Sequence, residues 1–237
     1  LGTFHAICAR ILRQEAPRLG LDPRFVIYDE GDQLDLLARV MKEIGLDPKQ
    51  YPPRAIKGAI SAAKARLIGP SAMESASHFE EVARRVYAAY QKALADSQAL
   101  DFDDLIMRTV SLLQRHPDVR ERYRSRYVHV MIDEFQDTNL AQYTLAREIA
   151  SGYRNICVVG DPDQSIYSWR FADLRHILDF ERDYPDAKVV VLEQNYRSTQ
   201  TILDVACSVI APNERRKEKR LWTERGMGAP VEVMEAF

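Results

Sequence analysis

Along the first two-fifths of the chain the apolar residues recur at helical spacing, and no segment reads as a strand. From Phe79 to Leu94 the positions Val82, Val86, Tyr87, Tyr90 and Leu94 fall three and four apart, which places them on one stripe of an amphipathic helix. From Ile56 to Leu67 small and apolar residues alternate with Lys57, Lys64 and Arg66, predicting a second such helix. Gly20-Leu21-Asp22-Pro23, Gly45 to Pro48, Pro52-Pro53 and Gly69-Pro70 supply the turns between helices, since Gly and Pro interrupt regular backbone. Beyond Asp101 the pattern changes. Short apolar runs at Tyr127 to Ile132, Ile156 to Val159 and Ala187 to Leu192 are rich in Val and Ile, as suits strands buried on both faces. Helical patterns at Leu140 to Ala150, Leu174 to Asp183 and after Ser198 separate or follow them. Strands alternating with helices predict βαβ units and a parallel sheet. The expected fold class is therefore α/β with an all-helical insertion.

Composition narrows the class further. The 237 residues, 46% hydrophobic and 29% charged, suit a globular chain of one large or two intimate domains. No apolar run approaches the ~20 residues that cross a bilayer, and the start lacks a signal peptide's basic-then-apolar layout. Cys8, Cys157 and Cys207 are odd in number, far apart and form no CxxC pair, which excludes a disulfide framework and a thiolate zinc site and points to the cytosol. With 33 Lys and Arg against 35 Asp and Glu, a polycationic DNA coat is excluded, although a local basic groove is not. The one dense charge run, Asn213 to Arg220, carries Arg215, Arg216, Lys217, Lys219 and Arg220. It reads either as a solvated connector or as a phosphate-contacting strip.

The candidate chemistry sits where strands end. In open parallel sheets ligands bind beyond the carboxyl ends of the strands, and the first predicted strand runs into Asp133-Glu134-Phe135-Gln136-Asp137. A hard cation such as Mg²⁺ takes one or two carboxylates plus waters and phosphate oxygens, a role open to Asp133, while Glu134 could deprotonate an attacking water. The bland alternative is that these acids cap the next helix, for which Asp137, Thr138 and Asn139 are natural starts. The second strand leads to Asp161-Pro162-Asp163-Gln164, whose Gln164 can sense a phosphate through a neutral hydrogen bond. Tyr167, Trp169, Arg170 and Phe171 follow, and rings interleaved with a guanidinium can stack bases of a single strand, although such clusters also build cores. The third strand leads to Tyr196, a flat face for a base, and Arg197, a fork for phosphoryl charge or a structural tether. Ser198 could cap the next helix. Thr3 is a helix N-cap or a phosphate contact. No Gly-Lys dipeptide occurs, so no GxxxxGK[ST] loop exists to cradle phosphates.

Taken together, TFHAICARILR, LDFDDLI, DEFQDTN, GDPDQSIYSWR and LEQNYRST resemble, in order and spacing, the UvrD/PcrA/Rep group of superfamily-one DNA helicases. The likeness covers essentially the whole chain. It implies two RecA-like lobes that bind ATP and Mg²⁺ between them and move 3′ to 5′ on single-stranded DNA. Residues 1–18 and 100–194 would be part of the first lobe, a partial P-loop NTPase fold; residues 19–99 would be its helical insertion and residues 195–237 the start of the second lobe. The resemblance makes Asp133 the Mg²⁺ ligand and Glu134 the base, with Gln164 coupling the γ-phosphate to DNA, Tyr196 near adenine and Arg197 on the γ-phosphate. Thr3, His5, Tyr167, Trp169 and Arg170 would line the DNA path. Phe171 stands where the family usually has Gly. The family's adenine-contacting opening motif, phosphate loop and later second-lobe motifs have no match here, and the chain begins Leu-Gly-Thr. The expectation is thus an internal fragment, inactive alone, of a cytoplasmic, nucleoid-associated helicase. Its partners would be single strands, single–double-strand junctions and repair or replication proteins. The alternatives are the helicase subunit of a helicase-nuclease, a catalytically dead binding module, and a metal-dependent hydrolase built on Asp133, Glu134 and Asp161.

Overall fold

The computed structural model describes residues 1–214 and 216–235. Helix α1 (Phe4–Gln14) opens on Thr3, whose hydroxyl accepts from the Ala6 amide at 3.2 Å, and α2 (Ala16–Leu19) follows directly. The strand β1 (Val26–Tyr28) comes next, then the three long helices α3 (Glu30–Glu43), α4 (Pro53–Ala65) and α5 (His78–Asp96). The chain continues with β2 (Ala99–Asp101), α6 (Phe102–Arg115), α7 (Pro117–Arg126), β3 (Val130–Ile132) and α8 (Leu140–Ala150). The last elements are β4 (Ile156–Val158), the one-turn helices α9 (Arg175–Leu178) and α10 (Phe180–Asp183), and α11 (Gln200–Ile210). Reciprocal capping boxes start α3, α5, α6 and α8, pairing Asp29 with Asp32, Ser77 with Glu80, Asp101 with Asp104 and Asn139 with Gln142. Each satisfies two amides that helical geometry leaves without a partner, and such a cap contributes about 1 kcal/mol.

The elements bury their apolar faces in three clusters. In the first, Cys8, Ile11 and Leu12 of α1 meet Leu105, Val110 and Leu113 of α6 and Ala141, Leu145 and Ile149 of α8, with Leu21 and Phe25 joining from the connection to β1. The second belongs to α3, α4 and α5 and is formed by Leu36, Leu37, Val40, Met41, Ile56, Ile60, Val82, Val86, Tyr87, Tyr90 and Leu94. The predicted stripes of the two amphipathic helices are therefore the ones buried. The third, Ile132, Phe135, Tyr143, Ala146, Phe180 and Tyr184, lies beneath the ends of β3 and β4.

Four expectations are corrected. The first two-fifths is not helical throughout, because β1 pairs in parallel with β2, Val26 opposite Ala99 and Tyr28 opposite Asp101. The run Ala187 to Leu192 forms no strand; Val189, Val190, Val191 and Leu192 are exposed. Nor are β3 and β4 buried on both faces, since Met131 is 77% exposed and Cys157 is also open. Met131 and Cys157 are register partners, so it is one face of the strand pair that lies open. The βαβ expectation itself holds: β3 and β4 pair in parallel, Val130 with Ile156 and Ile132 with Val158, and α8 is the crossover. The helix expected over Leu174 to Asp183 is split in two at Asp179, whose φ of −95° and ψ of 7° leave the helical region.

One buried charge cluster joins the helices of the second core to the first. Lys64 on α4 is fully buried, with its ammonium 2.6 Å from Asp101 and 3.0 Å from Asp104 at the start of α6. The Tyr90 hydroxyl donates to Asp101 at 3.0 Å, and the Gln91 amide of α5 to Asp104 at 3.0 Å. Burial works to lower the Lys64 pKa, but the Asp104 and Asp101 charges outweigh it and hold the ammonium above the ordinary lysine value. No helix among the described residues is long and apolar enough to cross a membrane.

Candidate nucleotide and nucleic-acid site

The ends of β3 and β4 hold the acidic loops side by side. The Phe135 amide donates to the Val159 carbonyl at 2.9 Å, and the chain turns sharply at Glu134, whose φ is +50°. A left-handed conformation at a non-glycine residue costs about 1 kcal/mol or more, and such strain gathers at functional sites. The turn leaves both Asp133 and Glu134 exposed, with one Asp133 oxygen accepting from the Glu134 amide at 2.9 Å. Helix capping is not their role, because Asn139 caps α8.

Gln136, which sequence reasoning left without a role, is the tie between the loops. It is 1% exposed, and its Nε2 donates to Glu134 at 2.8 Å and to Asp137 at 3.3 Å. Its Oε1 accepts from the Asp161 amide at 3.0 Å. A buried amide reaching both strand ends fixes the Glu134 carboxylate relative to the Asp161 loop. Gly160 makes this approach possible: a Cβ there would lie 2.6 Å from Gln136 Oε1 and 2.8 Å from Ile177. The only sequence signal for Gln136 is a neutral residue inside an acidic pentapeptide. Burial pushes the Asp137 carboxyl above the ordinary value, and the charge of Glu134 adds to the effect. Its Oδ1 is buried without a hydrogen-bond partner.

Three of the predicted residues meet in one cavity of about 500 Å³, lined by Gln164, Gln194, Asn195, Tyr196 and Arg197. Gln164 arrives on the loop after β4, its Nε2 donating to Asp161 at 2.9 Å. The Asn195 side chain accepts from the Arg197 and Ser198 amides at 2.9 and 2.8 Å, which shapes the opposite wall. Ser198 does not cap α11; Thr199 is the N-cap, with no side-chain cap bond. Tyr196 is 75% exposed, and Arg197 makes no ion pair among the described residues. The tether reading of Arg197 therefore fails. Asp133 and Glu134 are not part of the cavity's lining.

A second surface carries the aromatics. Arg170 places its guanidinium 4.5 Å from the Trp169 ring centre and 5.2 Å from that of Tyr167, and Trp169 is 65% exposed. An open ring with a cation over it belongs to the surface and not to the core. Thr3 spends its hydroxyl oxygen capping α1, while His5 packs edge-on against Phe102 at 5.6 Å. Burial lowers the His5 pKa, opposed by Asp103. Neither Thr3 nor His5 shares a hydrogen bond or ring contact with the 167–170 loop among the described residues.

Phe171 adopts φ +66°, the left-handed conformation that glycine supplies at least cost. Phe171→Gly is accordingly expected to raise the unfolding free energy by about 1 kcal/mol and Tm by roughly 2–4 °C. Thermal and denaturant melts check this; a lowered Tm would mean that the packing of the ring outweighs the backbone strain.

The basic run is solvated in part, with Asn213, Glu214, Glu218 and Arg220 exposed, but two of its cations are held by carboxylates. Arg216 and Lys219 are largely shielded and pair with Asp161 and Asp163, and Lys217 pairs with Glu181; Arg215 lies outside the described residues.

Small parallel sheets flanked by helices, with acids at one strand end and an amide at the next, fit a helicase N-terminal domain. The chain belongs to the UvrD/REP helicase N-terminal domain family, whose model matches residues 1–185. It is 48% identical over 233 residues to the ATP-dependent DNA helicase PcrA of Bacillus subtilis, covering 98% of this chain and 32% of that protein. It is 47% identical over 239 residues to the proteins of the same name from Staphylococcus aureus and Staphylococcus epidermidis, covering all of this chain and 33% of each. The chain thus spans about a third of the length of the curated relatives it matches.

Proposed function

We propose that this chain is part of an ATP-dependent 3′-to-5′ DNA helicase and carries its hydrolytic carboxylates, phosphate-sensing amide and strand-stacking loop. In this reading residues 1–18 and 100–194 form part of a first RecA-like lobe, residues 19–99 its helical insertion, and the chain from residue 195 opens a second lobe. The observation that carries the reading is the shared cavity of Gln164, Tyr196 and Arg197, three residues from two distant segments. A ring face, a neutral amide and a free guanidinium are what a base, a terminal phosphate and developing phosphoryl charge require.

Mg²⁺ fits the same reading. Among the described residues no cluster of three or more ligating side chains would hold a metal alone, and a cation shared with phosphate oxygens needs only one or two carboxylates. Asp133 would hold it through the oxygen that the Glu134 amide leaves free. When bound, the ion would offset phosphate charge. Glu134 would accept the proton of the attacking water, held in place by the Gln136 amide. Gln164 would hydrogen-bond the phosphate or water, and Arg197 would neutralise charge as it develops. Arg170, Trp169 and Tyr167 would bind the single strand, with Thr3 and His5 supplying a second contact.

The test is ATP turnover of the protein encoded by its full reading frame, with and without single-stranded oligonucleotide. Stimulation by DNA is expected, and its absence overturns the reading. Trp169→Ala should raise the DNA concentration for half-maximal stimulation by roughly 5- to 150-fold, since one stacked base contributes about 1–3 kcal/mol. An unchanged half-saturation would remove Trp169 from the DNA path. The 237-residue chain by itself should turn over no ATP, as it has no phosphate loop.

A further inference from the structure

We propose that Lys219, supported by Arg216, is a positioning residue that sets the orientation of the Gln164 amide and ties it to the wall carrying Arg197. The proposal rests on the ATP-site reading above and adds two residues to it.

The geometry is a chain of contacts through one carboxylate. Asp161 gives Oδ2 to the Gln164 Nε2 at 2.9 Å and Oδ1 to the Lys219 ammonium. Lys219 also lies 3.0 Å from Asp163, and Arg216 donates to the same Asp163 oxygen at 2.8 Å. These are not loose surface pairs: Lys219 is 14% exposed, Arg216 17% and Asp163 9%. Burial works to raise the Asp161 carboxyl, but the hydrogen bonds from Lys219 and Gln164 hold it below the ordinary value.

The other end of this segment is fastened to the Arg197 wall. The Trp222 amide donates to the Glu193 carbonyl at 3.1 Å, the Asn195 amide to the Trp222 carbonyl at 2.7 Å, and the Arg220 amide to the Glu193 side chain at 2.7 Å. Residues 193–195 and 220–222 are therefore bonded to each other at three points. An amide is two-faced: with Nε2 held by Asp161, Gln164 keeps its oxygen free as an acceptor toward water. If Lys219 leaves, Asp161 loses its fixed cation and Gln164 loses its orientation. Separation of the two walls of the cavity would then be felt at Gln164 through Lys219, which makes the contact a gauge of closure.

The experiment compares Lys219→Met and Lys219→Arg in the protein encoded by its full reading frame. Lys219→Met should lower DNA-stimulated kcat about tenfold and leave KM for ATP within about twofold, because orientation and not ground-state binding is lost. Lys219→Arg, which keeps the charge, should recover kcat to within about threefold. Amide exchange over residues 160–164 should quicken by roughly fivefold or more in Lys219→Met. An unchanged kcat overturns the proposal, as does a fall that Arg fails to rescue and that follows a lowered Tm, since that pattern marks a structural role alone. Wild-type exchange rates in Lys219→Met overturn it too, whatever the turnover. Absence of DNA-stimulated turnover in the unsubstituted protein would instead sink the ATP-site reading, and this role with it; the two failures are told apart by which protein shows them.

Discussion

Glu134→Gln is expected to abolish ATP hydrolysis, lowering turnover by roughly 10²- to 10⁴-fold, the span that a positioned general base contributes, while nucleotide affinity stays within about twofold. The substitution isolates proton acceptance because the site tolerates its shape. Glu134 Oε2 accepts from the Gln136 Nε2 at 2.8 Å, and a side-chain amide in its place can turn its oxygen to the same donor. The strained backbone at φ +50° is equally open to either residue. Gln136 remains tied to the Asp161 amide, so the two strand-end loops keep their spacing. Single-turnover ATPase with a fluorescent-nucleotide titration separates the two quantities. A variant that hydrolyses ATP at about a third of the normal rate would take the base assignment away from Glu134.

The helices of this chain were legible because local rules govern them: apolar spacing chose the buried faces of α4 and α5, and the short polar side chains of Thr3 and Asn139 cap α1 and α8. What the sequence did not reveal depends on partners far along the chain. β1 is three residues long, and only Ala99 to Asp101 make it a strand. The run Ala187 to Leu192 has the composition of a strand but pairs with no strand among the described residues; the bridge from Gln194 to Trp222 lies just beyond it. The site residues were legible as types at strand ends, whereas what holds them was not. Gln136 is buried beneath the loops, and Arg216 and Lys219 pair with carboxylates more than fifty positions earlier. A basic run looks the same in composition whether it faces water, phosphate or Asp163.

Lys64 shows how large such a hidden contact can be. Its place among the charged positions of an amphipathic helix suggested solvent, yet it is fully buried between two carboxylates. Lys64→Met is expected to destabilise the fold by about 3–5 kcal/mol, because removing one partner of a buried ion pair leaves the other charge uncompensated. For a chain of this size that is a fall in Tm of roughly 6–20 °C. The loss should also depend on pH, with a definite sign. Burial raises the Asp104 pKa above its ordinary value, and Lys64 is the main opposing influence; without Lys64 it rises further. A carboxyl whose folded pKa lies above its unfolded value favours the fold below that unfolded value, about 3.9, and loses this contribution as pH climbs through the folded pKa. The penalty in Lys64→Met should therefore be smaller at about pH 5 than at about pH 8, as Asp104 takes up a proton. Lys64→Met combined with Asp104→Asn should recover part of the stability at the higher pH, since the amide keeps an oxygen for Gln91 without carrying charge. Urea melts of the three proteins at both pH values decide the matter, and a penalty below about 1 kcal/mol, or one that is the same at both, would show that water reaches the cluster.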